Sequence, residues 1–301
     1  MTDFDVLVRR AIAATGAAAQ RPVLEKELLH LDILYCLDRA GLLDRLTFQG
    51  DTALRLCYGS SRLSEDLDFA GGRSFTAATL EEMRDCIEGY IGQRYGLPVS
   101  VKTPAELSKE PAYRDLKVDR WQVSVITAPD RRDIPQQRIK IEVINIDAYT
   151  REPRALQRSY NFLPAGYSDT LVLTESLTEI MADKLVSLVA CVSHIRYRDL
   201  WDLVWLAKQG AAPNVELINK KIADYRIENY NELLKRRVSS LPEILGDGRF
   251  DGEMRRFIPD EVWGRTLAKS KFSGFMLQTL RELLVAVSKG LGEQEVDGFQ
   301  M

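Results

Sequence analysis

Between Arg21 and Gly41 the chain reads RPVLEKELLHLDILYCLDRAG, with Leu24, Leu28, Leu31, Leu34 and Leu37 three to four residues apart. That spacing lines them along one face of an α-helix until Gly41 stops the pattern. With the segment before it, this predicts two helices within the first 47 residues. SEDLDF, at 64–69, changes the period to two: Leu67 and Phe69 fall on one face of a short strand, and Ser64, Asp66 and Asp68 on the other. Thr79 to Tyr95 returns to helical spacing. WQVSVITA (121–128) and RIKIEVINI (138–146) are rich in β-branched residues and joined by a polar, proline-containing connection, which predicts a hairpin. From about residue 174 the periodicity is helical almost throughout, with Gly- and Pro-bearing loops expected at 164–170 and 242–252. The order of elements predicts an α/β (α+β) domain over 1–165 and a helical domain over 166–301.

Two of the later helices place charge on their apolar stripes. ESLTEIMADKLVSLVACVS (175–193) opens on the capping-box pattern Ser176-x-x-Glu179. With Leu177 at zero and about 100° per residue, Lys184 falls near 340°, inside the apolar arc. An ammonium there must snorkel out, pair with a core carboxylate, or meet an anionic ligand. In RDLWDLVWLAK (198–208) Asp199 faces inward in the same way and Asp202 lies at the edge of the arc. Helix-terminal stabilisation and pairing with Arg198 are the ordinary explanation; a shared polar centre is the functional one.

The acidic face of the 64–69 strand adds a second constellation. Two carboxylates two residues apart repel unless a cation lies between them, and Mg²⁺ favours carboxylate oxygens together with water and substrate phosphate. Glu142, in the strand 138–146, is a candidate third acid. Taken alone, D-x-D fits an ordinary half-exposed edge strand equally well.

Composition narrows the chemistry. The 301 residues carry 41 Lys and Arg against 44 Asp and Glu, a formal charge of −3, so contact with nucleic acid or membrane has to be local. Candidate basic clusters are Arg131-Arg132-Arg138, Arg151-Arg154-Arg158 and Lys235-Arg236-Arg237, each of which also fits a solvated face. Cys36, Cys57, Cys86 and Cys191 form no CxxC pair, and His30 and His194 are far apart, which disfavours a zinc site or a disulfide frame. Carboxylates are therefore the expected carriers of any catalysis. No run approaches a membrane helix and the opening MTDFDVLVRR lacks a signal-peptide core, so the expected address is the cytoplasm.

FQGDTALRLCYGSSRLSEDLDF (48–69) is similar to the pattern F-x-GGTAL-R followed by R-x-SEDLDF, and Lys184 with Asp199 in RDLWDL is similar to a later lysine helix and R-D-x-x-D-L helix. Together these motifs resemble the AbiEii/AbiGii and MenT-type nucleotidyltransferase toxins. The resemblance implies a polymerase-β-like nucleotidyltransferase domain with a mixed sheet, followed by a helical domain that closes the active-site cleft. It implies Asp66, Asp68, Lys184 and Asp199 as catalytic residues, and Asp66, Asp68 and Glu142 as ligands of Mg²⁺ or Mn²⁺. Gly50, Thr52, Ser64 and Lys184 would bind an NTP co-substrate. The acceptor it implies is the 3′ end of tRNA, whose extension would block translation, and a cognate antitoxin is an expected partner. Transfer to a protein is the alternative within the enzyme class, and a non-catalytic binding protein the alternative outside it. One departure stands out: Gly50-Asp51 replaces the Gly-Gly turn whose backbone N–H groups would approach a triphosphate.

Overall fold

Asp3–Thr15 (α1) and Arg21–Arg39 (α2) are the two helices expected at the start of the chain. The computed structural model describes residues 3–109, 118–131, 133–157 and 159–297, and divides into two units, Met1–Glu175 and Ser176–Met301.

The first unit continues with Thr47–Gln49 (β1), Gly50–Leu56 (α3), Leu67–Ala70 (β2), Met83–Tyr95 (α4), Val99–Lys102 (β3) and Pro104–Leu107 (α5). Val118–Val125 (β4), Gln137–Ile144 (β5), Glu152–Ala155 (β6) and Leu171–Thr174 (β7) complete it. The strands form one mixed sheet in the order β3-β4-β5-β2-β1-β7-β6. β4 and β5 are the expected hairpin, antiparallel with Trp121 opposite Ile141. β2 lies between parallel β5 and antiparallel β1. Leu67, Phe69, Ile141 and Val143 are buried, and Phe69 stacks on Phe48 with centroids 5.0 Å apart. α2 packs against β5 and α4. β7 pairs with β1, so the sheet unit runs to Glu175 rather than ending at residue 165.

The strand expected over 64–69 is shorter and later, because Ser64 to Asp66 lie outside the ladder. Side chains take the carbonyl groups that pairing would use: His30 Nε2 is 3.0 Å from the Glu65 oxygen, and the Thr52 hydroxyl bonds the Asp66 oxygen.

α2 carries its own buried polar network. Arg55 holds Glu27 in two contacts of 2.7 and 3.0 Å, and the Tyr160 hydroxyl donates to Glu27 at 2.6 Å. Burial works to raise the Glu27 pKa, but Arg55 and Tyr160 bring it below the usual carboxylate range. Burial pushes His30 down from 6.5 to about 4. It pushes Asp32 up from 3.8 to about 6, against the pull of Tyr167, Arg94 and Tyr95.

These two shifts act oppositely on stability. As pH falls from 6.5 towards 4 the unfolded chain protonates His30's imidazole before the folded chain does, and stability is lost. As pH falls from 6 towards 3.8 the folded chain already holds the Asp32 proton, and stability is gained. Each amounts to about 3 kcal/mol, so they nearly cancel. Asp32→Asn removes the gain: acidification from pH 7 to 4 should cost this variant about 3 kcal/mol more than wild type in urea denaturation. Parallel pH curves would contradict the assignment.

The second unit consists of Leu177–Ala190 (α6), Tyr197–Lys208 (α7), Val215–Asp224 (α8), Tyr230–Gly246 (α9), Gly248–Arg255 (α10), Asp260–Arg265 (α11) and Ser270–Asp297 (α12). α6 packs against α7, α8 and α9, and α12 against α7, α8 and α9. Gly290 lets α12 approach α8 closely, since a Cβ there would lie 2.3 Å from a Val215 methyl. The loop expected at 242–252 is instead helical on both sides of Asp247: Pro242 lies inside α9, and the Asp247 carboxylate accepts from the Arg249 N–H at 2.9 Å to cap α10. No helix among the described residues is long and apolar enough to cross a membrane.

Candidate active site

A polar row crosses the sheet where β2 shows its outer face. Pairing sets Gln49 opposite Asp68, Asp68 beside Glu142, and Glu142 opposite Arg120, and all four side chains are half-buried. Strand neighbours in register lie about 4.8 Å apart, which puts Asp68 and Glu142 side by side. Arg120 forms an ion pair with Glu142. Asp66, just before the strand, accepts from the Lys140 backbone N–H at 3.2 Å and lies 3.7 Å from the Lys140 ammonium. The segment that carries it is tied down from three sides, since Lys26 pairs with Glu65 at 2.8 Å in addition to the His30 and Thr52 contacts. Ser64 is buried with its Oγ 2.8 Å from Thr52 Oγ1, so both hydroxyls brace the approach to β2.

Gly50 stands against this row. Its φ is +74°, in the left-handed region that L side chains disfavour, and a Cβ on it would come within 3.1 Å of Asp68 Oδ2. Gly50→Ala should therefore cost about 1–2 kcal/mol of backbone strain and displace the Asp68 carboxylate. The expected result is a transfer rate lowered more than the stability loss explains, read from single-turnover assays beside urea melts; wild-type rates would contradict it.

Asp51, the residue that interrupts the Gly-Gly turn, pairs with buried Arg62 at 2.8 Å. Arg62 also donates to the Leu63 carbonyl at 3.0 Å. The extra carboxylate is thus balanced by the arginine of R-x-SEDLDF, two motif positions that only the fold joins.

In the helical unit Lys184 is 4% exposed and lies 3.0 Å from Asp199 and 2.7 Å from Asp202, both buried. Arg196 pairs with Asp199 as well, and the Ser187 hydroxyl donates to it at 3.3 Å. Ser176 caps α6 by accepting from the Glu179 N–H at 3.3 Å, and the Glu179 carboxylate pairs with Lys221, 2.7 Å away. Lys221 also meets Asp183 at 2.8 Å. Nothing in the sequence pattern singled out Lys221 or Arg196; Lys221 is supplied by tertiary packing, whereas Arg196 stands only three residues before Asp199.

The basic clusters differ in their surroundings. Arg237 is buried, and its guanidinium donates to the carbonyls of Leu188 at 2.9 Å and Cys191 at 2.8 Å, which corrects its reading as a docking arginine. It satisfies orphan carbonyls at the C-terminus of α6. Arg131 pairs with Asp133 at 2.6 Å, Arg154 with Glu152 at 2.5 Å, and Arg151 donates to Thr47 at 3.0 Å. Arg132 and Arg158 lie outside the described residues.

The strand row offers hard carboxylate oxygens, the ligand type that Mg²⁺ takes, beside a glycine whose Cβ would meet Asp68. Among solved structures the chain is similar to JHP933 from Helicobacter pylori, with 21% identity, TM-score 0.46, and coverage of 93% of this chain and 98% of that one. It is similar also to a "putative nucleotidyltransferase from H. pylori", with 21% identity, TM-score 0.48, and coverage of 90% and 97%. No curated protein matches the sequence. The family model described as "Nucleotidyl transferase AbiEii toxin, Type IV TA system" matches residues 32–281, a span that holds both the strand carboxylates and the lysine helix. The chain belongs to the AbiEii nucleotidyl transferase toxin family of type IV toxin–antitoxin systems.

Proposed function

We propose that this enzyme transfers a nucleotidyl group from an NTP to the 3′ end of tRNA in a metal-dependent reaction, and that the added nucleotide blocks translation. The observation that carries the reading is the close approach of the Gly50 turn to Asp68, which lies on β2 beside Glu142, with Asp66 just before the strand. Asp66 and Asp68 would hold the divalent cation, with Glu142 as a further ligand once released from Arg120. Bound there, the ion would supply Lewis-acid charge to phosphate oxygens and to the attacking hydroxyl.

The chain's own groups have distinct parts. Gly50 leaves room for a phosphate beside its backbone N–H, and Thr52 and Ser64 hold the Asp66 segment in place. Arg62 offsets the Asp51 charge that would otherwise oppose an incoming triphosphate. Lys184 offers its ammonium to the triphosphate, and Asp199 with Asp202 positions it. In the reaction the acceptor hydroxyl oxygen forms a bond to the α-phosphorus, the bond from that phosphorus to the bridging oxygen breaks, and pyrophosphate leaves. The hydroxyl proton passes to a carboxylate of the row or to water. The antitoxin of the system would oppose this activity.

The test is incubation of the protein with each α-labelled NTP, Mg²⁺ and total tRNA, followed by denaturing electrophoresis. Label in the tRNA band supports the reading. Label confined to a protein band, with tRNA in excess, replaces it with transfer to protein.

A further inference from the structure

Where α11 ends and α12 begins, the helical unit carries an open groove of about 640 Å³. It is lined by three cations, Arg265, Lys269 and Lys271, by Phe272 and Phe275, and by two small residues; no carboxylate lines it. Arg265 shares its charge with exposed Glu261 at 3.5 Å. Lys269 and Lys271 are exposed and have no ion pair among the described residues. On a chain of net charge −3, this is a local reversal of sign.

The two phenylalanines continue a ladder of rings out from the core. Buried Trp201 lies 5.8 Å from Phe272, and Phe272 lies 6.0 Å from Phe275, which is 43% exposed. An exposed ring beside lysines is a poor surface for a protein core partner, because seating one would desolvate the ammonium groups. The pair of features matches an unpaired nucleotide, whose base offers a flat face to stack and whose phosphate offers a charge to neutralise. The open groove has room for a nucleotide or two lying along it.

We infer that this groove binds a single-stranded segment of the RNA acceptor, with Phe275 as the stacking platform and Lys269 and Lys271 as the phosphate contacts. The inference deepens the reading of an RNA acceptor and rests on it for the occupant's identity. It places part of the acceptor's affinity on the helical unit, apart from the residues assigned to chemistry.

The experiment measures fluorescence anisotropy of a short labelled single-stranded RNA with the full-length protein, without NTP, over a series of salt concentrations. Lys269→Gln with Lys271→Gln should flatten the dependence of log affinity on log salt by about 1.4, at about 0.7 per phosphate contact. Phe275→Ser should weaken binding roughly tenfold, and Phe275→Tyr should retain it. All three positions are exposed, and circular dichroism checks that the variants fold. Wild-type affinity and salt slope in every variant overturn the inference. So does binding to phosphatidylglycerol vesicles in preference to RNA with the same dependence on these residues. Label transfer by wild type to tRNA with unaltered binding in the variants overturns the groove and spares the acceptor reading. Transfer only to protein, with RNA binding still lost in the variants, sinks the acceptor reading and upholds the groove as a nucleic-acid site.

Discussion

Asp68→Asn should lower nucleotidyl transfer by about a thousandfold or more while the protein stays folded. The asparagine keeps the volume and the half-buried position on β2 but removes the negative charge that a divalent cation needs, and loss of one such electrostatic contact commonly costs a factor of this size. Phe69 and Leu67, which anchor the strand from its other face, are untouched, so the urea midpoint should stay within the range of an ordinary surface substitution. Asp66→Asn should behave alike in activity. Single-turnover transfer measured beside denaturation separates the two effects; either variant turning over at the wild-type rate would remove that acid from the mechanism.

Lys184→Met has the largest expected effect on stability. The inward angle of Lys184 alone suggests that a methionine would simply fill an apolar position, but the side chain lies between two buried carboxylates. Removing it takes from buried Asp199 and Asp202 a cation that both hold, a loss of about 3–5 kcal/mol by the usual cost of breaking a buried ion pair. Lys184→Met combined with Asp202→Asn should recover most of that stability, because Arg196 still balances Asp199. Transfer should stay low in both variants, since neither has the ammonium that faces the triphosphate in the proposed reaction. A single variant as stable as wild type would contradict the ion-pair account. A double variant that recovers turnover together with stability would make the lysine purely structural.

The sequence was most legible where periodicity and local chemistry agreed. The leucine repeat of α2, the β-branched runs of β4 and β5, and the inward angles of Lys184 and Asp199 all follow from spacing within one element. Strands of three or four residues, such as Thr47–Gln49 and Leu171–Thr174, are too short to show a period and become strands only through their neighbours in the sheet. The start of β2 was misplaced for a related reason: alternation continues through Ser64 to Asp66, yet His30 and Thr52, distant in sequence, claim their carbonyls. The same limit hid the partners of charge. Asp51 stands in the sequence as a departure from the Gly-Gly turn, and its partner Arg62, eleven residues on, is joined to it only by the fold. Arg237 read as a surface arginine because the α6 carbonyls that it satisfies lie in another helix.

In the proposed reaction Asp66, just before β2, and Asp68, on it, direct transfer of the α-phosphoryl group with its nucleoside. Parallel reactions of wild type and Asp68→Asn with NTP labelled at the α- or the γ-phosphate, each with Mg²⁺ and tRNA, decide the matter. Wild type should place α-label in the RNA and γ-label in released pyrophosphate, and the variant should do neither. Label from the γ-phosphate in any acceptor, or α-label transferred equally by both proteins, would contradict it.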